Sequence, residues 1–380
     1  MWKTASVLMG LVLILVTLGV IMLASTSAVR GESQFHNPNY FLLRQLLWLG
    51  LAAVACAAAA RFDYHRLRWM ALPMLVGSVG LLGLCFVPHI GLCINGSRRW
   101  IKLAGLCNFQ PSEFAKYATI VFLAWWMKRV ERRAREFVPG MVVPGLGLAA
   151  VLGLIFHEPD FGTTMLIAVV GMSMLFLGGT RLRYLVIAAV VGACGFTFAV
   201  MQNANRMTRI LAFLNPAKYA EKEAFQLMNA LYAFVAGGSW GAGLGQGMQK
   251  HFYLPECHTD FILPSIAEEL GIGGSLGVLL LFFGVFLCGM IIAGRAPDVF
   301  GRLIAFGITL MIAIQVMINI GVVTGCLPTK GLALPFISYG GSSLLISGLM
   351  VGTLVNIALH AGGGIRDEDT RMIKDRARVV

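Results

Sequence analysis

The sequence contains little charge for a chain of its length. Only 13% of its 380 residues are Asp, Glu, Lys or Arg, and 58% are hydrophobic, whereas soluble domains carry about 25% charged residues. This shortage excludes an ordinary soluble globular protein. Acidic residues are scarcest, 18 against 30 basic ones, which gives a net charge of +12. The basic residues form short clusters between apolar runs, a pattern that indicates membrane topology, so we expect no nucleic-acid partner.

The apolar runs are long enough to cross a bilayer, which requires about 17–25 residues. The first run is too long for the apolar region of a secretory signal and has no clear cleavage site, so we expect it to be retained. The predicted fold class is all-α, a polytopic membrane protein with about ten transmembrane helices. The predicted spans are residues 7–28, 41–60, 69–88, 112–128, 141–157, 162–179, 184–201, 266–293, 303–325 and 337–360.

One connection between predicted spans is too long and too polar to be a simple loop. It comprises residues 202–262, between spans 7 and 8, and loops of this length are usually functional. Two amphipathic stretches within it, near 206–214 and 223–236, fit helices on the membrane surface. We expect residues 1–361 to form a single transmembrane domain, followed by a tail over 362–380.

The distribution of basic residues orients the predicted spans. With ten spans, 18 of the 30 Lys and Arg residues lie on the side of both termini, which the positive-inside rule assigns to the cytoplasm. The loop 202–262 is then extracytoplasmic. An outer loop, 89–111, departs from the rule because it contains Arg98 and Arg99. We expect this pair on an interfacial helix before Trp100, in contact with lipid headgroups or with a pyrophosphate.

The end of the long loop has the densest group of reactive side chains. Residues 253–261 read YLPECHTDF and bring together the carboxylates of Glu256 and Asp260, the imidazole of His258 and the hydroxyl of Thr259. A partly desolvated carboxylate at the mouth of a span can act as a general base. The alternative is an ordinary solvated loop carboxylate.

Three more polar segments fall on the same predicted side. Glu113 and Lys116 share a helix face at the start of span 4, although a well-capped helix start would explain most of this pattern. Lys330 and Ser338 lie in a segment rich in small residues before the last span, where close backbone approach to a phosphate competes with simple helix packing. The third segment, with Glu158 and Asp160, is residues 158–161 between spans 5 and 6, which form either one broken unit or a tight outer hairpin.

These residues lie in strings that resemble the SEDS family of membrane proteins, in the same order over about residues 95–345. The strings are RRWIKL, FQPSEFAK, EPDFGT, GLGQGMQKHFYLPECHTDF, AEELG and PTKGLALPFISYGGSSL. The form PTKGL before LPFISYGG favours the cell-division branch over the elongation branch. The resemblance implies a peptidoglycan glycosyltransferase of the bacterial inner membrane, at the division septum, that polymerises lipid II.

The resemblance also implies roles for individual residues. Asp260 matches the essential aspartate of the family and would deprotonate the acceptor hydroxyl. Glu113 and Lys116 match residues that line its cavity. Candidates for the donor pyrophosphate, a part of the undecaprenyl-pyrophosphate-linked glycan, are Arg98, Arg99, Lys330 and Ser338. Supporting positions are Glu256, His258, Thr259, Glu158 and Asp160. A divalent ion, Mg²⁺ or Mn²⁺, is a possible cofactor. Expected partners are a class B penicillin-binding protein and other divisome membrane proteins.

Four of the eight cysteines fall in predicted outer loops, where an oxidising compartment allows disulfides. We predict a bridge between Cys93 and Cys107, which bracket Arg98 and Arg99, with four free thiols as the equal alternative. Two other functions also stay open. One is a transporter that flips lipid II, for which no inverted repeat is evident, and the other is a non-catalytic scaffold that recruits a transpeptidase.

Overall fold

Long apolar stretches govern the fold, because a backbone inside a bilayer has to satisfy its own hydrogen bonds and a helix does so. The computed structural model describes residues 1–94, 97–103, 107–202, 204–220, 224–248 and 257–377. Each predicted span coincides with a helix in these ranges. The helices are α1 Trp2–Phe35, α2 Tyr40–Arg61, α3 Leu67–Leu84, α4 Pro111–Arg129, α5 Val143–His157, α6 Phe161–Leu177, α7 Leu182–Met201, α8 Ala204–Leu214, α9 Phe225–Gly237, α10 Ile262–Gly294, α11 Val299–Val323 and α12 Gly341–Ala377.

Eight helical segments in the described ranges are long and apolar enough to cross a membrane. Of the ten predicted spans, α4 and α6 fall outside this group. Helix α6 has only 17 residues, and α4 carries Glu113, Lys116, Lys128 and Arg129. Helix α4 is nevertheless central, because most of its length is buried against α3, α5, α6 and α11. Glu113 and Lys116 therefore face protein rather than lipid, whereas Lys128 and Arg129 lie at the more exposed end of the helix.

The two ends of the helix bundle differ in character. We call the end with the connections 36–39, 85–110, 158–160, 202–261 and 324–340 the site end. The opposite end, with the turns 62–66, 130–142, 178–181 and 295–298, is the basic end. Hydrogen bonds join the connections within each end. At the basic end, for example, the hydroxyl of Thr180 donates to the backbone carbonyl of Gly140 at 2.8 Å. Helix α12 packs along α2, and α10 packs against α1, α9 and α11.

The connection between α3 and α4 is a small antiparallel sheet, so the predicted interfacial helix before Trp100 is wrong. Its strands are β1 Gly91–Ile94, β2 Ser97–Leu103 and β3 Cys107–Phe109, with β2 in the centre. Leu92 pairs with Trp100, and Ile101 pairs with Phe109. Aromatic and β-branched residues such as Trp100 and Ile101 favour strands, and both are half-buried, whereas Arg98 and Lys102 are exposed.

Helix α10 is broken near its start at Gly271, whose φ is 70°. That left-handed conformation favours glycine, and a Cβ there would lie 2.6 Å from the amide nitrogen of Gly241. The segment before the break, 262–270, belongs to the site end. The two predicted amphipathic stretches form α8 and α9, and α12 continues to Ala377 through most of the predicted tail. The domain boundary at residue 361 stays a prediction.

Candidate functional site

The backbone of residues 258–260 is held by three consecutive carbonyl groups. In chain order, these carbonyls accept hydrogen bonds from the backbone N–H of Tyr339, the hydroxyl of Ser338 and the side-chain amide of Asn319. The first bond measures 2.9 Å and the third 2.8 Å. Donors from two separate elements, α11 and the segment 324–340, therefore fix the segment that carries Asp260.

The Asp260 carboxylate lies against the backbone of Gly331. A Cβ built on Gly331 would be 2.0 Å from Oδ2 of Asp260, so only glycine leaves room for the carboxylate in this position. Asp260 and Thr259 are half-buried, whereas His258 is 4% exposed. The Asp260 carboxylate is therefore partly accessible at the site end. Its position is fixed by the backbone hydrogen bonds of residues 258–260 and by its contact with Gly331.

Two amide side chains on α11 connect this segment to the charges on α4. Asn319 donates to the carbonyl of Leu332 at 2.7 Å as well as to that of Asp260. One turn earlier, Gln315 donates to the carbonyl of Ala333 at 2.7 Å. The side-chain oxygen Oε1 of Gln315 accepts from Nζ of Lys116 at 3.0 Å. Residues four apart share a helix face, so α11 presents one polar stripe to both neighbours.

Lys116 and Glu113 form a buried ion pair. Nζ of Lys116 lies 2.7 Å from Oε2 of Glu113, and the side chains are 2% and 9% exposed. With the bond to Gln315, the ammonium has two partners, as a buried charge requires. The prediction that these two residues share a face is therefore confirmed, and Gln315 extends the pair toward the segment at Gly331.

Ser338 and His258 are buried and take part in the contacts that hold the segment 258–260. The Ser338 hydroxyl accepts from the N–H of Leu334 at 2.8 Å while it donates to Thr259. The His258 ring packs beside Phe41 and Tyr339, with centroids 5.0 and 5.8 Å apart. Both residues therefore fasten the segment 258–260 in place, and a direct phosphate contact of Ser338 stays untested.

Arg98 and Arg99 are neighbours on strand β2 and have different surroundings. Neighbouring side chains on a strand point to opposite faces. Arg98 is exposed, with Nη1 3.5 Å from the carbonyl of Phe86, whereas Arg99 donates from Nε and Nη2 to the carbonyls of Glu158 and Pro159, at 3.0 and 2.7 Å. Arg99 thus ties β2 to the turn between α5 and α6, and Arg98 keeps more of its guanidinium open.

The turn 158–160 contains two buried carboxyl groups. Asp160 caps α6, because its carboxylate accepts from the N–H and the hydroxyl of Thr163, at 3.3 and 2.8 Å. Glu158 is 1% exposed. Its burial, with a smaller effect from the charge of Asp160, raises its pKa to about 8, although the Cys85 thiol opposes this shift. Asp160 therefore has a structural role, while Glu158 carries a proton near neutral pH.

Lys330 lies beside the start of α6. Its Nζ is 4.4 Å from the ring centroid of Phe161, within the range of a cation–π contact. The aliphatic part of its side chain would meet a Cβ on Gly162 at 3.3 Å. Since the next residue, Gly331, contacts the Asp260 carboxylate, the backbone of Lys330 lies close to Asp260.

Sequence reasoning missed the anchoring function of two carboxylates, Glu268 and Glu269. Both are buried. Glu268 accepts from the N–H of Met248 at 2.6 Å, and Glu269 accepts from the N–H of Gly245 at 2.9 Å and from the Ser25 hydroxyl at 2.6 Å. They hold the glycine-rich segment 241–248. The sequence feature that could have revealed them is a pair of adjacent carboxylates at the start of an apolar helix. For Gln315 and Asn319, the corresponding feature is two amide side chains four residues apart within an apolar span.

Three predicted residues cannot be placed in the site. Glu256 lies outside the described residues, as do the side chains of Cys93 and Cys107. The backbone register pairs Cys93 with Arg98 and Cys107 with Leu103, on opposite sides of β2. Strands two positions apart are separated by roughly 9.5 Å, more than the Cα separation of a disulfide. The bridge stays a prediction that this register disfavours.

The described residues provide limited means of holding a metal at Asp260. The grouping of three possible ligands found in the described ranges, Asp63, His65 and His360, lies at the basic end. Two other carboxylates of the site end have other functions, since Glu113 pairs with Lys116 and Asp160 caps a helix. A Mg²⁺ or Mn²⁺ ion would fit there through the one carboxylate of Asp260 and phosphate oxygens of a substrate, a donor set that Mg²⁺ accepts.

Fold and site together define a multi-pass membrane protein with a fixed carboxylate and nearby cations at one end of its bundle. Residues 5–362 match the FtsW/RodA/SpoVE family, described as cell cycle proteins. The chain belongs to this family, and the predicted resemblance is confirmed.

Relatives cover nearly the whole chain. The probable peptidoglycan glycosyltransferase FtsW of Trichlorobacter lovleyi is 44% identical over 356 residues, 93% of this chain and 92% of the relative. Stage V sporulation protein E of Bacillus subtilis is 42% identical, over 92% and 95%.

Solved structures are similar as well. A chain of a peptidoglycan synthase complex, studied for the coordination of polymerization and crosslinking, has a TM-score of 0.77 and 29% identity, over 93% of this chain and 97% of that one. RodA of Thermus thermophilus has a TM-score of 0.68 and 27% identity, over 92% and 95%.

Proposed function

We propose that this protein is a peptidoglycan glycosyltransferase that polymerises lipid II into glycan strands, with Asp260 as general base. The names of the relatives support the activity. The observation that carries the role of Asp260 is its fixed position, given by three consecutive backbone anchors and the contact with Gly331. Such fixation suits a base, which has to meet its proton at hydrogen-bond distance.

In the proposed reaction, Asp260 removes the proton from the acceptor hydroxyl of lipid II. The hydroxyl oxygen then attacks the anomeric carbon of the donor glycan, and the bond from that carbon to undecaprenyl pyrophosphate breaks. The leaving pyrophosphate takes the electron pair of that bond. Lys330, one residue from the contact with Asp260, and the more open Arg98 would stabilise its charge. A bound divalent ion would supply further charge stabilisation.

We also propose the orientation and surroundings of this site. Both termini lie in the cytoplasm, because the basic end has the clusters that the positive-inside rule assigns to that side. The site end then faces outward at the inner membrane of a bacterium, at the division septum. A class B penicillin-binding protein and other divisome membrane proteins are the proposed partners, a suggestion supported by the likeness to a chain of a peptidoglycan synthase complex.

The test uses the purified full chain with labelled lipid II, with and without a class B penicillin-binding protein. Asp260→Asn keeps the size of the side chain but removes the base, so we expect glycan polymer to be lost. Asp160→Asn is the matched control, because asparagine also caps helices well, and we expect it to polymerise normally. Polymer made equally by Asp260→Asn would refute the base assignment. Lipid II crossing a vesicle membrane without polymer formation would favour the transporter instead.

A further inference from the structure

The turn between α2 and α3 is fastened to the middle of α12 at the basic end. The backbone N–H of Tyr64 donates to Oδ1 of Asn356 at 3.0 Å, and Nδ2 of Asn356 donates to the carbonyl of Ala60 at 2.8 Å. Tyr64 is 1% exposed, and its hydroxyl donates to Asp298 at 2.7 Å. These contacts hold the residues on either side of Tyr64 opposite residues 356–360 of α12.

Three side chains with metal-binding atoms meet at this junction. Asp63, His65 and His360 each place one ligand atom within 4.8 Å of the other two. Nδ1 of His65 lies 2.7 Å from Oδ1 of Asp63, and Nε2 of His360 lies 3.8 Å from the same oxygen. Tetrahedral Zn²⁺ with bonds of about 2.1 Å separates its ligand atoms by roughly 3.4 Å. The distance between His360 and Asp63 is therefore close to that of a metal site. The Nδ1 of His65 and the Oδ1 of Asp63 are at hydrogen-bond distance and would separate by about 0.7 Å when an ion binds between them.

The imidazole of His360 is oriented for a ligand role. Its Nδ1 is 2.9 Å from the carbonyl of Asn356, and a carbonyl can only accept, so this nitrogen carries the proton. In the neutral ring, Nε2, which lies 3.8 Å from Oδ1 of Asp63, then has a free lone pair. A metal-binding histidine is usually oriented in this way, with its other nitrogen donating to a backbone carbonyl or carboxylate.

We propose that Asp63, His65 and His360 bind a divalent transition-metal ion such as Zn²⁺ at the basic end of the bundle. Two imidazoles and a carboxylate suit that class of ion, and three protein ligands leave a position for water. The side chains are 38–43% exposed, so an ion can enter from solvent. Bound metal would clamp the α2–α3 turn to α12, the helix that follows the segment 324–340 of the site end.

The experiment measures Zn²⁺ binding by the full chain in detergent, without an affinity tag and after removal of metal by a chelator. Zn²⁺ is titrated against a chromophoric competitor. We expect one site per chain, weakened at least about 10-fold by His360→Ala, by His65→Ala and by Asp63→Asn. Asparagine can still accept the N–H of His65, so the last variant preserves the turn. His36→Ala, at an exposed histidine of the site end, is the control and should bind as the parent does.

Thermal unfolding gives an independent measurement. Zn²⁺ should raise the midpoint of the parent chain and of His36→Ala, but not that of the double variant His65→Ala/His360→Ala. Without metal, the double variant should unfold near the parent midpoint, which shows that it is folded. Equal Zn²⁺ affinity in the parent and the double variant, or absence of binding to the parent, would overturn the proposal. This result is independent of polymerisation and of Asp260.

Discussion

Replacement of Gly331 by alanine tests how closely activity depends on the position of Asp260. The added Cβ would lie 2.0 Å from Oδ2 of Asp260, whereas Cβ contacts under 3.0 Å essentially do not occur. The carboxylate therefore has to move by about 1 Å or more. A displacement of that size at a reacting group costs on the order of 100-fold in rate, which corresponds to about 2.7 kcal/mol of barrier. We expect this loss of polymerisation in Gly331→Ala.

The substitution should leave the fold intact. The φ angle of Gly331 is not in the left-handed region, so alanine fits the backbone. Gly340→Ala is the matched control in the same segment, because a Cβ there would meet Ser343 at an ordinary 3.6 Å. Glycan chain formation from labelled lipid II and the thermal unfolding midpoint are measured for both variants. A rate within threefold of the parent for Gly331→Ala, or equal losses in the two variants, would contradict the dependence of activity on the position of the Asp260 carboxylate.

Two further predictions concern buried charge. The Glu158 carboxyl keeps its proton up to about pH 8 in the fold, but ionises near 4.5 when unfolded, so stability should fall as pH rises from 4.5 to 8, by at most about 5 kcal/mol. In Glu158→Gln this dependence should vanish, and parallel unfolding midpoints of parent and variant from pH 5.5 to 8.5 would contradict the assignment. Lys116→Met leaves the Glu113 carboxylate buried without its cation, which should destabilise by about 3–5 kcal/mol. Addition of Glu113→Gln should restore most of that loss in denaturant unfolding, and a double variant as unstable as the single one would count against the ion pair.

The small sheet shows where local pattern was insufficient. The predicted spans all coincide with helices, because a bilayer accepts few other structures and apolar length identifies them. Residues 97–103 carry no such constraint. Trp100 and the preceding arginines fit an interfacial helix or a strand, and only pairing with 91–94 and 107–109 decides for the strand. Strand pairing depends on partners distant in sequence, which local composition does not specify.

For the site, the sequence could identify individual residues but not the contacts between them. Asp260, Lys330 and the pair Glu113 and Lys116 could be selected from sequence, because charges at the ends of apolar spans require a reason. Their relation to one another could not. Gln315 and Asn319 look like isolated amides in an apolar helix, and their function becomes evident only when α11 lies between α4 and the segment 324–340.

Local composition was sufficient for the class of protein, the position of each apolar helix along the chain and the end of the bundle at which the basic clusters lie. These properties follow from solvation. The free energy of transfer of an apolar run or a charge between water and the bilayer depends on that segment alone and not on its contacts with other segments. The tertiary structure alone decided which groups act together: that Arg99 holds a turn while Arg98 stays open, that Asp160 caps a helix, and that Asp260 rests against Gly331. Such assignments depend on distances of a few ångströms between elements far apart in the chain, and only packing sets those distances.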